Sequence, residues 1–107
     1  MFLFAIELDE ERIIKDDKID LQAAYKCIDD TFAQKDVSLY QINNKLRYYT
    51  RQIDYHDYEY LWMVNLAFEE VDWFRKYIKI WKYININEKT NEILNEEDLI
   101  EEWEIKG

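Results

Sequence analysis

The chain has 107 residues, enough for one domain (1–107) and too short for two comfortable ones. Hydrophobic residues make up 49%, which supports a real core and argues against disorder, while a net charge of −10 disfavours nucleic acid and anionic membrane as partners and favours basic ones. The only glycine is Gly107 and proline is absent, which excludes every glycine-dependent phosphate loop and leaves tight turns to Asn and Asp.

Phe2, Phe4, Ile6 and Leu8 alternate with Leu3, Ala5 and Glu7, a strand apolar on both faces at its start and so expected inside a sheet. Asp9 to Lys18 is polar around Ile13 and Ile14 and reads as a loop or a short helical turn. Asp20 is a plausible N-cap, followed by the helical stripe Leu21, Ala24, Tyr25, Ile28 and Phe32, with Cys27 beside it. Val37 to Ile42 and Lys45 to Thr50 flank Asn43-Asn44 and predict a hairpin.

Tyr58 to Ile86 is the densest apolar stretch and holds three of the four tryptophans. Tyr58, Tyr60, Trp62, Val64, Leu66 and Phe68 alternate, which predicts a central strand. Phe74, Tyr77, Ile78, Trp81 and Ile84 then recur at three- and four-residue steps, which predicts a long helix with acidic residues in its first turn. Asn95 is a candidate cap for a last helix that would bury Leu99, Ile100 and Trp103. The expected order is β-α-β-β-β-α-α, an α+β domain with helices packed on one face of an antiparallel sheet of about four strands.

The candidate chemistry is thin. Asp54, His56 and Asp57 bring the only histidine beside two carboxylates, a weak metal or general-base signature that reads first as a polar loop between strands. A nucleophilic role for Cys27 would require that same histidine, and a cysteine near an apolar helix face behaves as a small hydrophobe. A carboxylate-only hydrolase cannot be told from spacing in a chain this acidic. No catalytic residue, metal site or cofactor is therefore assigned. The lone cysteine, the short and soon acidic N-terminal apolar run, and the lack of a long apolar segment predict a soluble cytoplasmic protein.

Charge is segregated. Arg75, Lys76, Lys79 and Lys82 would form one basic helix face, with Arg47 and Arg51 adding positive charge before it, either a solvated surface or a contact for RNA or an acidic protein helped by exposed tyrosines such as Tyr49 or Tyr83. Between Glu88 and Glu104 eight carboxylates face a single lysine, and Glu96, Glu97, Asp98, Glu101 and Glu102 are the candidate contacts there. Asp9, Glu10 and Glu11 form a second acidic patch. Carboxylates on a rigid surface can imitate nucleic-acid phosphates and occupy a basic groove; the plain alternative is that they serve solubility.

A glycine-poor, acidic, Tyr- and Trp-rich domain of this size without catalytic residues resembles the small inhibitor proteins of phages and mobile elements, such as the type II anti-CRISPR proteins that block Cas9. The stretch Trp73 to Trp81, WFRKYIKIW, with the Asn- and Glu-rich segment after it, is similar to small proteins of Gram-positive mobile elements. The resemblance implies binding to Cas9 or its guide-RNA assembly, with acidic surfaces competing where nucleic acid sits. It transfers no binding residue. Immunity proteins that neutralise basic nuclease toxins share the composition, and a regulatory module that homodimerises through exposed aromatics is the third expectation.

Overall fold

The computed structural model describes residues 2–50, 58–71, 73–87 and 89–100. The elements are β1 (Phe2–Leu8), α1 (Glu10–Asp16), α2 (Leu21–Ala33), β2 (Ser38–Asn43), β3 (Leu46–Thr50), α3 (Tyr58–Glu69), α4 (Phe74–Tyr77), β4 (Ile78–Ile86) and β5 (Ile93–Asp98). The five strands form one sheet in the order β2-β3-β1-β4-β5, every neighbouring pair antiparallel. The fold is α+β with one strand more than the approximately four expected.

β1 lies at the centre because it is apolar on both faces. Phe4, Ile6 and Leu8 point to the helices and Leu3 and Ala5 to the other side, all 5% exposed or less. The helix-side core also takes Ile13 from α1, Ala24, Ile28 and Phe32 from α2, Val64 and Phe68 from α3, and Phe74 and Tyr77 from α4, so all four helices pack on one face. Trp81 of β4 is fully buried there, stacked on Phe4 at 5.5 Å and edge-on to Phe74 at 5.7 Å. The opposite face carries a smaller cluster of strand residues, Leu3, Ala5 and Ile84, flanked by half-buried Leu46, Tyr48 and Ile86.

Turns follow from the missing glycine. Among the described residues, those with left-handed backbone are Asp17, Asp36, Asn44 and Asn91, at φ between 51° and 64°. Each is an Asp or Asn, the non-glycine types that enter this region most readily. Asn44 turns the expected β2–β3 hairpin, and Asn91 lies in the turn between β4 and β5, where its N–H donates to the Asn87 carbonyl at 2.7 Å. Asp9 and Asp20 cap α1 and α2 through side-chain bonds to Arg12 N and Ala23 N, at 3.2 and 3.0 Å.

The stretch from Tyr58 to Ile86 is helix then strand, the reverse of the expected order. The expected strand is helix α3. Its alternation has no polar face to oppose the apolar one, since Leu61, Met63 and Ala67 fall between the alternating positions, so a period of two carried little information. Leu, Met, Ala and Glu favour a helix, and Val64 and Phe68 bury one turn apart. The expected long helix is instead the single turn α4 followed by β4. Phe74, Tyr77, Trp81 and Ile84 are all buried as expected, but Trp81 and Ile84 lie on opposite faces of an interior strand. An interior strand buries both faces, and its burial can then mimic a helical stripe. Four isoleucines, Trp81 and Tyr83 suit that strand.

The expected last helix also shifts. Asn95 lies within β5, and a helical turn starts at Leu99, capped by Asp98, whose Oδ1 accepts from Ile100 N at 3.0 Å. Leu99 is buried and Ile100 half-buried, as expected for that turn; Trp103 lies outside the described residues.

Candidate functional site

The four basic candidates do not share a helix face, because α4 ends at Tyr77. Arg75 and Lys76 lie on α4, Lys79 and Lys82 on β4. Each meets a carboxylate from a different element. Arg75 is 3.7 Å from Glu69 of α3, Lys76 3.7 Å from Asp16 of α1, Lys79 3.5 Å from Glu7 of β1, and Lys82 2.9 Å from Glu96 of β5. Pairs this exposed stabilise by roughly 0–1 kcal/mol each. Their larger consequence is local: cations that the sequence presents as a basic stripe are neutralised by the chain's own acids.

The structure separates the acidic candidates by task. Asp9 is the N-cap of α1, and its backbone N–H donates to the Tyr77 carbonyl at 2.7 Å, tying the start of α1 to the end of α4. Glu10 accepts from the Tyr25 hydroxyl; burial first, then the Glu10 charge, pushes that phenol up to about 12. Glu11 is exposed. With Glu7, Lys45 and Lys79 these acids rim a small polar depression of about 80 Å³, so the patch is of mixed sign. On β5, Glu96 is bound by Lys82, Glu97 lies opposite Tyr83, and Asp98 lies opposite Lys82 while capping the turn after it. Glu101 and Glu102 lie outside the described residues. So do Arg51, Asp54, His56 and Asp57.

Two features go beyond the sequence reading, which counts Arg47 only as added positive charge and takes Tyr49 as an exposed aromatic; Tyr49 is buried. Arg47 of β3 is 3.6 Å from Asp29, lies 4.0 Å over the Tyr25 ring and donates to the Tyr49 hydroxyl at 3.4 Å. Tyr49 in turn donates to Asp29 at 2.5 Å, while its ring stacks on Phe32 at 4.1 Å. Burial and the Asp29 carboxylate push the Tyr49 phenol upward and keep it neutral, and the cluster clamps α2 to β3. Asp29 one helical turn after Tyr25 is the local signal, and pairing it with Arg47 and Tyr49 needs the β3–α2 packing. At α1, Tyr77 donates to Asp16 at 2.9 Å; that bond, with Lys76, Arg12 and Lys18 nearby, holds the Asp16 carboxyl below its ordinary range.

The second feature is a groove of about 450 Å³ between α2 and α3, floored in part by Met63, Leu66 and Val71. Cys27 is free and half-buried. Among the described residues no group of three His, Cys, Asp or Glu side chains could hold a metal ion, and no helix is long and apolar enough to cross a membrane. No protein-family model, curated protein or solved structure matches this chain.

Proposed function

We propose that this chain is a non-enzymatic acidic binding protein that inhibits a nucleic-acid-processing enzyme by occupying its basic surface, with a Cas9-type nuclease or its guide-RNA assembly as the partner class. The observation that carries this reading is the internal pairing of Arg75, Lys76, Lys79 and Lys82. Their charge is cancelled locally, so the chain's excess of carboxylates has no compensating basic face here, and a contact with RNA through these residues loses its support. The strand β5 adds rigidity. Glu96 and Asp98 share one face of it about 7 Å apart along the strand, Glu97 faces the other way, and all three are at a sheet edge that a partner can reach. Fixed carboxylates lose little side-chain freedom when they meet a basic groove.

The test is charge reversal on that strand, Glu96→Lys with Glu97→Lys, assayed against Cas9 with and without guide RNA and against a basic nuclease toxin. The wild type is expected to bind one of them with an affinity that falls as salt rises from about 50 to about 300 mM. The reversed variant should bind at least about tenfold more weakly. Salt-independent affinity, or full affinity in the variant, would remove the electrostatic mechanism. Binding only to the toxin would move the reading to an immunity protein.

A further inference from the structure

We infer that the outer edge of β2 is a self-association surface. There β2 of a second copy of this chain pairs antiparallel across a two-fold axis, joining two five-stranded sheets into one of ten.

Among the described residues β2 is the last strand of the sheet and pairs only with β3. All six of its residues are exposed, and no backbone hydrogen bond leaves it for any other element among the described residues. An uncovered edge presents a row of backbone donors and acceptors to whatever strand arrives. Edges are normally blunted by lysine, proline, inward-pointing charge or a bulge. Ser38-Leu39-Tyr40-Gln41-Ile42-Asn43 has none of the first three, in a chain where 14 basic and 24 acidic residues are spread over 107 positions, and its one irregularity is the register shift between Leu39 and Gln41.

The strand is also apolar at its surface. Leu39, Tyr40 and Ile42 are 42%, 50% and 49% exposed. The register shift between Leu39 and Gln41 makes this coherent. Leu39 lies opposite Tyr49 and Ile42 opposite Arg47, two β3 residues on the same face, so Leu39 and Ile42 also share a face although they are three residues apart. A two-fold axis through the middle of β2 sets Leu39 of one copy opposite Ile42 of the other, twice. Ser38 then meets Asn43, and Tyr40 meets Gln41. Cross-strand apolar pairs of this kind are the stabilising unit of an antiparallel sheet.

Charge selects the occupant. Two copies at −10 repel each other, and a symmetric interface sets each charge near its own image. At the other edge, β5 would bring Glu96, Glu97 and Asp98 against the same three residues of the second copy. β2 brings no charge to the contact. A basic partner gains nothing electrostatic from it, whereas a second copy brings a strand of matching length and pattern. This inference is independent of what the acidic edge binds.

The experiment is sedimentation equilibrium on the full chain from about 5 to about 500 μM, in salt high enough to screen the net charge. The mass is expected to rise from 13.3 kDa toward twice that value. Ile42→Lys should hold it at the monomer value over the same range with an unchanged circular dichroism spectrum, and Ile42→Val should still dimerise. A Leu39→Cys, Ile42→Cys variant in a Cys27→Ser background should form a disulfide-linked dimer on oxidation. A monomer at every concentration overturns the inference. So does a dimer that persists in Ile42→Lys, or one that Tyr48→Lys abolishes on the open sheet face while Ile42→Lys does not.

Discussion

Strands β2 and β5 hold equivalent positions at opposite ends of one sheet, six residues each, and their chemistry is opposite. β2 is uncharged and exposes Leu39, Tyr40 and Ile42. β5 exposes Ile93 and Leu94 at its start and ends in Glu96, Glu97 and Asp98. Among the described residues neither is followed by a further strand, so the difference lies in the side chains that line each edge. Like charges line one edge, while at the other no further strand lies among the described residues. A sheet with one guarded and one open edge can add a copy of itself at one end only, which limits assembly to a pair instead of a fibre.

That contrast rests on the interior that both edges share. Trp81 packs against Phe4, Phe68 and Phe74, and its loss leaves a large cavity. Trp81→Ala should destabilise by about 3–5 kcal/mol. Urea unfolding followed by far-ultraviolet circular dichroism and tyrosine fluorescence should then show both edges lost in one transition. Separate transitions would mean that the edges belong to separate cooperative units.

Removing the guard is the next largest effect. Glu96→Val with Glu97→Val, placed in the Ile42→Lys background, should create concentration-dependent self-association where the background alone has none. Unchanged mass would show that the acids of β5 do not serve as a guard.

The two ends also titrate in different directions. Under β3, the Tyr25 phenol is raised by burial and by Glu10 to about 12. A raised folded-state value contributes stability that is complete below the unfolded value near 10 and lost as pH rises from there through about 12. Tyr25→Phe should flatten the alkaline fall in melting temperature over that window. At the start of β4, Asp16 is lowered by the Tyr77 hydrogen bond and by Lys76. Its contribution is complete above the ordinary value near 3.8 and is lost as pH falls through the lowered one. Asp16→Asn should flatten the acid side only. A variant that flattens the opposite limb would show that the assigned partner is wrong.

The smallest change is at the pair joining β5 to the sheet. Lys82 and Glu96 are both more than a third exposed, so Lys82→Met should shift stability by no more than about 1 kcal/mol. A larger loss would show that β5 docks through this pair and not through its ladder with β4.

Legibility followed the kind of signal. Local chemistry was readable: Asp20 as a cap, the α2 stripe, the Asn-turned hairpin, the buried β1, and Asp and Asn at the left-handed turns all depend on neighbours within a few residues. The stretch from Tyr58 to Ile86 was misread because both of its elements are rich in apolar residues on more than one side, and periodicity needs a polar face for contrast. The basic candidates were found by residue type but given the wrong geometry. Arg75, Lys76, Lys79 and Lys82 take their partners from α3, α1, β1 and β5, and pairing over such separations exists only once the sheet order is set.

The sequence by itself determined the charge of this protein, its lack of glycine-built phosphate sites, the composition of its core and the Asp and Asn turns, because these depend on residue type and near neighbours. Only the tertiary structure decided that Arg75, Lys76, Lys79 and Lys82 are neutralised, that Arg47 is clamped between Tyr25 and Asp29, and that β2 and β5 became the edges. Strand order is set by which apolar faces must be buried from two sides, and that is a property of the whole core.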